Sequence, residues 1–219
     1  MSKELSHPGA TTGNTYIDIG ADTHEGYAIS SRSREMAREA IGDRTPEDRI
    51  RQRCSIAVGD FTMADLMRFC HDPITAGIAA LAAGAPIFTD IRMVQTGIQK
   101  RGHTSTITCV LDLPAGAETG GEKTRTSAGF LSLKDQLNGA IIVIGNAPSA
   151  LLVVCNMIQE GANPALVIGT PVGFVNAAES KEVLRTIEVP SISNEGTRGG
   201  TPIAVAALNE IITIFASDS

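Results

Sequence analysis

Apolar and polar positions along the chain follow two rhythms. In the N-terminal part the spacing is helical. From Glu25 to Ile41, the residues Ile29, Met36, Ala37, Ala40 and Ile41 share one side, and Gly42–Asp43 interrupt the pattern. Thr45, Pro46 and the pair Glu47–Asp48 then mark a helix start, since proline fits a first turn and acids suit its positive end. This second helix is predicted to reach Val58. The stretch HDPITAGIAALAAGAP places Asp72 at a cap, Pro73 at the first helical position and Gly84 at the stop. Beyond it, short apolar runs alternate with helical segments. Strands are predicted over 86–89, 104–111, 140–144, 165–168 and 191–193. Helices are predicted over 91–100, 123–136, 148–160, 177–187 and 202–215. Strands that are apolar throughout, separated by helices, indicate a parallel sheet covered on both faces. The predicted fold class is therefore α/β. One three-layer α/β/α domain over 25–219 surrounds a mainly parallel five-stranded sheet, and a polar arm over 1–24 precedes it.

Composition narrows the function classes. A chain of 219 residues can bury a full core without disulfides or metals. Lys and Arg total 18 against 24 Asp and Glu, a net charge of −6, and Trp is absent. An acidic chain poor in aromatics is a poor nucleic-acid binder. The four cysteines, Cys54, Cys70, Cys109 and Cys155, form no C-x-x-C pair and suit neither a zinc ribbon nor a disulfide framework. They read as reduced, buried thiols in a cytoplasmic protein. The N-terminal stretch lacks an apolar signal core, and the longest apolar runs are strand-length, so no membrane partner is expected. Met36, Met63, Met67 and Met93 read as core filling.

Open α/β sheets bind ligands at the carboxyl ends of their strands. Four predicted strand ends carry unusual residues: Thr89–Asp90; the GNAPSA turn with Asn146; the GTPVGFVN loop; and the NEGTRGGTP loop, with Thr201 as cap and Pro202 in the first turn. Each offers backbone N–H groups and a positive helix end, which together imply an anionic ligand. Asn146 also reads as a turn residue and Asp90 as a helix cap. The P-loop motif and G-x-G-x-x-G are absent, which disfavours nucleotides. Arg125, at a helix start, opposes the helix dipole, so it is held either by an anionic ligand or by Glu118 or Glu122. Arg198 lies in a glycine-rich loop, either solvated or gripping a carboxylate. The histidines His7, His24, His71 and His103 sit in no nucleophile or zinc-protease motif. Taken alone, these residues suggest an anion-binding α/β enzyme acting on a phosphorylated metabolite.

Longer motifs sharpen this reading. AALAAGAPIFTDIRMVQTG, TRTSAG, GAIIVIGNAPSALL, LVIGTPVGFVNAAESKE and VPSISNEGTRGGTPIAVAALN follow one another in an order and spacing that resembles the precorrin-8X (cobalt-precorrin-8) methylmutase family, over about residues 25 to 210. The resemblance implies a flavodoxin-like fold, a homodimer without cofactor, and a tetrapyrrole substrate. It implies an isomerase of corrin biosynthesis that moves a methyl group from carbon 11 to carbon 12, giving cobyrinate or hydrogenobyrinate. It marks Ser33, Arg53, Asp90, Thr124, Arg125, Asn146 and Arg198 as substrate-binding, with Arg125 and Ser33 closest to the chemistry. One departure stands out. The family reads R-x-V-H-x-x-G where this chain reads Arg53-Cys54-Ser55-Ile56-Ala57-Val58-Gly59, so Ile56 replaces the family's histidine. Isoleucine donates no proton. Retained mutase activity is expected, helped by Ser33, Ser55, Arg125 or His103; a corrinoid carrier without turnover is the alternative.

Overall fold

The computed structural model describes residues 23–113 and 123–217. The polar arm expected over 1–24 lies outside these, apart from Thr23 and His24. Thr23 caps the first helix by accepting from the Gly26 amide.

Helices α1 (His24–Ile41) and α2 (Pro46–Val58) form where predicted, and Thr45 and Asp48 close a full capping box on α2. The rest of the order is α3 (Met63–Leu66), β1 (Met67–Cys70), α4 (Pro73–Ala82), β2 (Ile87–Thr89), α5 (Arg92–Gly97), β3 (Ile107–Cys109), α6 (Arg125–Leu133), β4 (Ile141–Ile144), α7 (Pro148–Gln159), β5 (Leu166–Gly169), α8 (Ala177–Arg185), β6 (Ser191–Asn194) and α9 (Thr201–Ser217). The strands lie in the order β1-β6-β5-β4-β2-β3. All neighbouring pairs are parallel except β1 with β6.

The sheet thus has six strands rather than the expected five. The extra one, β1, is an antiparallel edge strand that the hydrophobic pattern does not announce. Counted by themselves in chain order, the five parallel strands run 2-1-3-4-5, a doubly wound order with its switch point between β2 and β4.

Continuous apolar strands are explained by burial on both faces. Ile141, Val143, Leu166 and Ile168 point into a core shared with α2, α4, α5 and α9. Ile142, Ile144 and Val167 point into a second core with α6, α7 and α8. Helix α9 is buried nearly all round, lying between the sheet and α2. Met63 and Met67 fill the first core, whereas Ile29, Met36 and Met93 are exposed, against the sequence reading. Helix α1 packs mainly on α2 and buries only Ala37, so helical spacing alone misplaces its other apolar residues. All four cysteines are free, and burial pushes the Cys54 thiol up to about 12. None of the described helices is long and apolar enough to cross a membrane.

Candidate active site

The parallel strands deliver five helix N-termini to one edge of the sheet. At the switch point the expected ligand seat is already filled. Asp90, at the end of β2, is fully buried. Its carboxylate accepts from the backbone amides of Gly145 at 3.3 Å, Asn146 at 2.7 Å and Ala147 at 2.9 Å. Burial still outweighs these bonds and holds its pKa above the ordinary carboxylate value. Asp90 is therefore an internal anion that shapes the β4–α7 turn. It does not cap α5, and the amides of the β4–α7 turn that the sequence reading offered to substrate donate to it instead.

The neighbouring contacts form a continuous rim. A side chain at Gly145 would run into the Thr201 backbone, so its absence lets the start of α9 close on the turn. Helix α9 begins at Thr201, which makes Gly200 rather than Thr201 its cap residue. Thr124 caps α6 through Ser127 N and meets the Ser149 hydroxyl at 3.0 Å, tying the N-termini of α6 and α7 together. Gly200 N donates to Thr170 O at 2.7 Å, and Gly173 N donates to Thr197 O at 3.1 Å, locking the loops after β5 and β6 to each other. A Cβ on Gly199 would sit 2.7 Å from Pro171 O, so only glycine allows this approach.

Lys181 underpins the same loops from below. Its side chain is 0 % exposed, and its ammonium donates to Arg198 O at 2.6 Å and to Asn194 Oδ1 at 3.3 Å. Desolvation, aided by nearby Arg185, pulls its pKa down to about 8. Arg198 itself reaches Asp60 at 2.9 Å and Thr62 Oγ1 at 3.1 Å. It grips a carboxylate of its own chain and pins the loop after α2 to the rim.

Helix α2 brings the family's histidine position to this edge. Cys54 donates to Ile203 O near the start of α9, while Arg49 and Arg53 meet Glu210 two turns further on, so α2 runs against α9 and ends beside its N-terminus. Ile56, half-buried, lies in that last turn. Arg53 points back into the protein. It pairs with the fully buried Glu210 at 2.9 Å and donates to Thr213. Arg49 and Arg34 reach the same carboxylate at 2.8 Å and 3.6 Å, and burial draws the Arg34 pKa down to about 10. Ser55 is buried, and its hydroxyl has no hydrogen-bond partner.

The other expected site residues separate into two groups. Thr124, Arg125 and Asn146 are exposed on the rim, and Arg125 makes no ion pair among the described residues. Glu118 and Glu122, its alternative partners, lie outside them. Ser33 is half-buried on α1. His103 is not at this edge. It stands in the loop entering β3 at the opposite end, fixed between Gln99 O and Ser105 N. His71, following β1, is also remote.

The sequence reading missed Glu210 and Lys181. A lone glutamate in the apolar run AALNEIITIF was the available signal for the first. A cleft of about 550 Å³ beside β1 is lined by Arg51 and Arg68, but Asp48 and Glu195 already pair with these, making it a poor seat for carboxylates. No cluster of metal-binding side chains occurs among the described residues.

Comparison with known proteins points one way. A family model described as precorrin-8X methylmutase matches residues 28–214. The cobalt-precorrin-8 methylmutase of Methanocaldococcus jannaschii is 39% identical over 206 residues, covering 89% of this chain and 96% of its own length. The precorrin-8X methylmutase of Pseudomonas aeruginosa is 42% identical over 165 residues, covering 72% and 79%. The solved structure of precorrin-8X methylmutase from Thermus thermophilus superposes with a TM-score of 0.80 at 34% identity, covering 88% of this chain and 97% of that one.

Proposed function

The chain belongs to the precorrin-8X methylmutase family, and we propose that it catalyses the methyl shift from carbon 11 to carbon 12 of precorrin-8 or its cobalt complex. The product is hydrogenobyrinate or cobyrinate. One methyl–carbon bond breaks, another forms on the adjacent carbon, and the ring's double bonds shift, so substrate and product are isomers and no co-reactant is consumed.

The observation that carries this reading is the composition of the rim. A tetrapyrrole fringed with acetates and propionates needs many anion-binding groups around a broad opening. Helices α6, α7 and α8 lie side by side on one face of the sheet. At interaxial distances of about 10 Å their N-termini span about 20 Å; Asp90 already takes the amides at the start of α7, which leaves the ends of α6 and α8 to favour added negative charge. Arg125 and Lys123 stand exposed at the start of this row. Thr124, Arg125, Asn146 and Ser33 are proposed as substrate contacts. Arg53, Asp90 and Arg198 act as positioning residues, the first holding α2 on α9, the second fixing the β4–α7 turn and the third tying the loop after β6 to Asp60.

Ile56 supplies no proton at the family's histidine position. Catalysis then rests on holding ring C in a reactive geometry, a contribution that binding alone can make large. The order 2-1-3-4-5 of the parallel strands supports a flavodoxin-like assignment. The exposed Tyr27, Ile29 and Met36 on α1 support a homodimer, and the four free cysteines support a cytoplasmic protein.

The test is direct. Purified protein mixed with cobalt-precorrin-8 should convert it, seen as the absorbance change to cobyrinate. Tight binding of cobyrinate with no conversion would leave a carrier instead.

A further inference from the structure

The loop between β5 and α8 holds three large apolar side chains in solvent. Phe174 is 94% exposed, Val175 76% and Val172 46%. Surface apolar residues are ordinary when scattered, but these three fall within four positions, 172–175, on one tip, and hydrogen bonds tie the tip down. Gly173 N is bonded to Thr197 O, Gly200 N to Thr170 O, and Asn176 takes a left-handed conformation with φ 61 before α8. Beneath them Lys181 and Asn194 both donate to Arg198 O, at 2.6 Å each. The buried ammonium thus holds the loop after β6, to which Gly173 N and Thr170 O tie the apolar tip.

The charges around the tip identify what covers it. It stands at the N-terminus of α8, next in the row to α7 and α6 with Arg125, and it is hydrogen-bonded to the loop that carries Arg198. A ligand fitting both parts has a flat apolar body and an anionic rim. A protein surface complementary to Phe174 has no need of the row of helix N-termini. We propose that Phe174 and Val175 form an apolar seat for one face of the tetrapyrrole, while Arg125 and the ends of α6 and α8 take its carboxylates. The seat rests on the proposed function and makes these two residues positioning contacts for the ring.

The test uses the full chain and cobyrinate as probe. Absorbance titration gives its affinity for wild type, Phe174→Ala, Phe174→Leu and Phe174→Asp. Removing an apolar side chain that becomes buried should weaken binding about 10- to 100-fold in Phe174→Ala. Phe174→Leu should stay within a few-fold, and Phe174→Asp should lose most, through repulsion of the carboxylates. Turnover should show a raised KM in Phe174→Ala. Melting temperatures should match wild type, because the side chain makes no core contact. A Phe174→Ala titration that superposes on wild type overturns the seat and leaves the mutase reading intact. A change in sedimenting mass accompanying the loss also overturns it, by assigning the tip to a contact between copies. Wild type that neither binds nor converts the tetrapyrrole removes both readings together.

Discussion

Lys181→Met isolates the cost of burying an ammonium under the rim. The lysine carries no carboxylate partner among its hydrogen bonds; it donates to Arg198 O and Asn194 Oδ1. Its pKa falls from 10.5 to about 8, chiefly because burial disfavours the charged form. The folded protein therefore holds fewer protons than the unfolded chain between those values, and stability rises with pH across that window. With one pKa unit worth about 1.4 kcal/mol, the lysine costs about 3 kcal/mol near pH 7, and about 2 kcal/mol of this is recovered between pH 8 and 10. Methionine removes the charge and keeps the stem volume. It leaves Asn194 Oδ1 without its donor, a loss of about 1–3 kcal/mol, while Arg198 O still receives Asn194 Nδ2. The offset at pH 8 is then close to zero, and the slope is the informative quantity.

The assay is urea or thermal unfolding of both proteins from pH 7 to 10. Wild type should gain on Lys181→Met by about 2 kcal/mol between pH 8 and 10, which is about 4–8 °C in Tm for a chain of this size. Taking the difference between the two proteins cancels the titration of cysteines and tyrosines. A constant gap across that range refutes the reasoning and means the ammonium is solvated or paired in solution.

Three other changes test neighbouring links. Arg125→Gln should weaken cobyrinate binding about 10-fold or more while leaving stability within about 0.5 kcal/mol, since Arg125 is exposed and has no ion pair among the described residues; titration and melting curves read the two effects. Glu210→Gln should destabilise by about 3–5 kcal/mol, because Arg34, Arg49 and Arg53 converge on that buried carboxylate; a denaturant midpoint within error of wild type would contradict it. Gly199→Ala drives a methyl into the Thr170 and Pro171 carbonyls, so the rim loops must part; KM should rise, and amides of 196–200 should exchange faster with deuterium.

Much of the frame was legible because its physics is local. Pro46 behind the Thr45 cap, and the unbroken apolar runs IIVI and LVIG, each depend on a few adjacent residues, and all formed as read. Strand β1 was not legible, since MRFC follows a short helix with no alternation and owes its conformation to pairing with β6. The motifs after β2, β4, β5 and β6 do gather at one edge of the sheet. They did not reveal what each residue does there, because that depends on distant partners. Asp90 meets amides 55 to 57 positions away, and Arg53 meets a glutamate 157 positions on. Single-sequence reading sees an acid after a strand and an arginine on a helix, and both look available to substrate. Lys181, in the polar string AAESKE, looks like a solvated helix face and is instead the most deeply buried cation described.

Ile56 ties the edge to the chemistry. Had a proton donor at this position been indispensable, its loss would slow turnover by about 10² to 10⁴-fold, the usual contribution of a positioned acid. His71 and His103 do not replace it: both stand at the other end of the sheet, and His103 is fixed by Gln99 and Ser105. Arginine stays protonated through the neutral range. The pH dependence of kcat should therefore show no inflection near 6.5, where an imidazole titrates, and should stay flat from about pH 5.5 to 7.5. Ile56→His should introduce that inflection. It should also raise kcat by less than 10-fold, because a shift within one ring depends more on how that ring is held than on a proton delivered to it. A wild-type profile with an imidazole-like break, or a gain of 10²-fold or more in Ile56→His, would show that acid catalysis dominates and that the rim's hold on the macrocycle is only its preliminary.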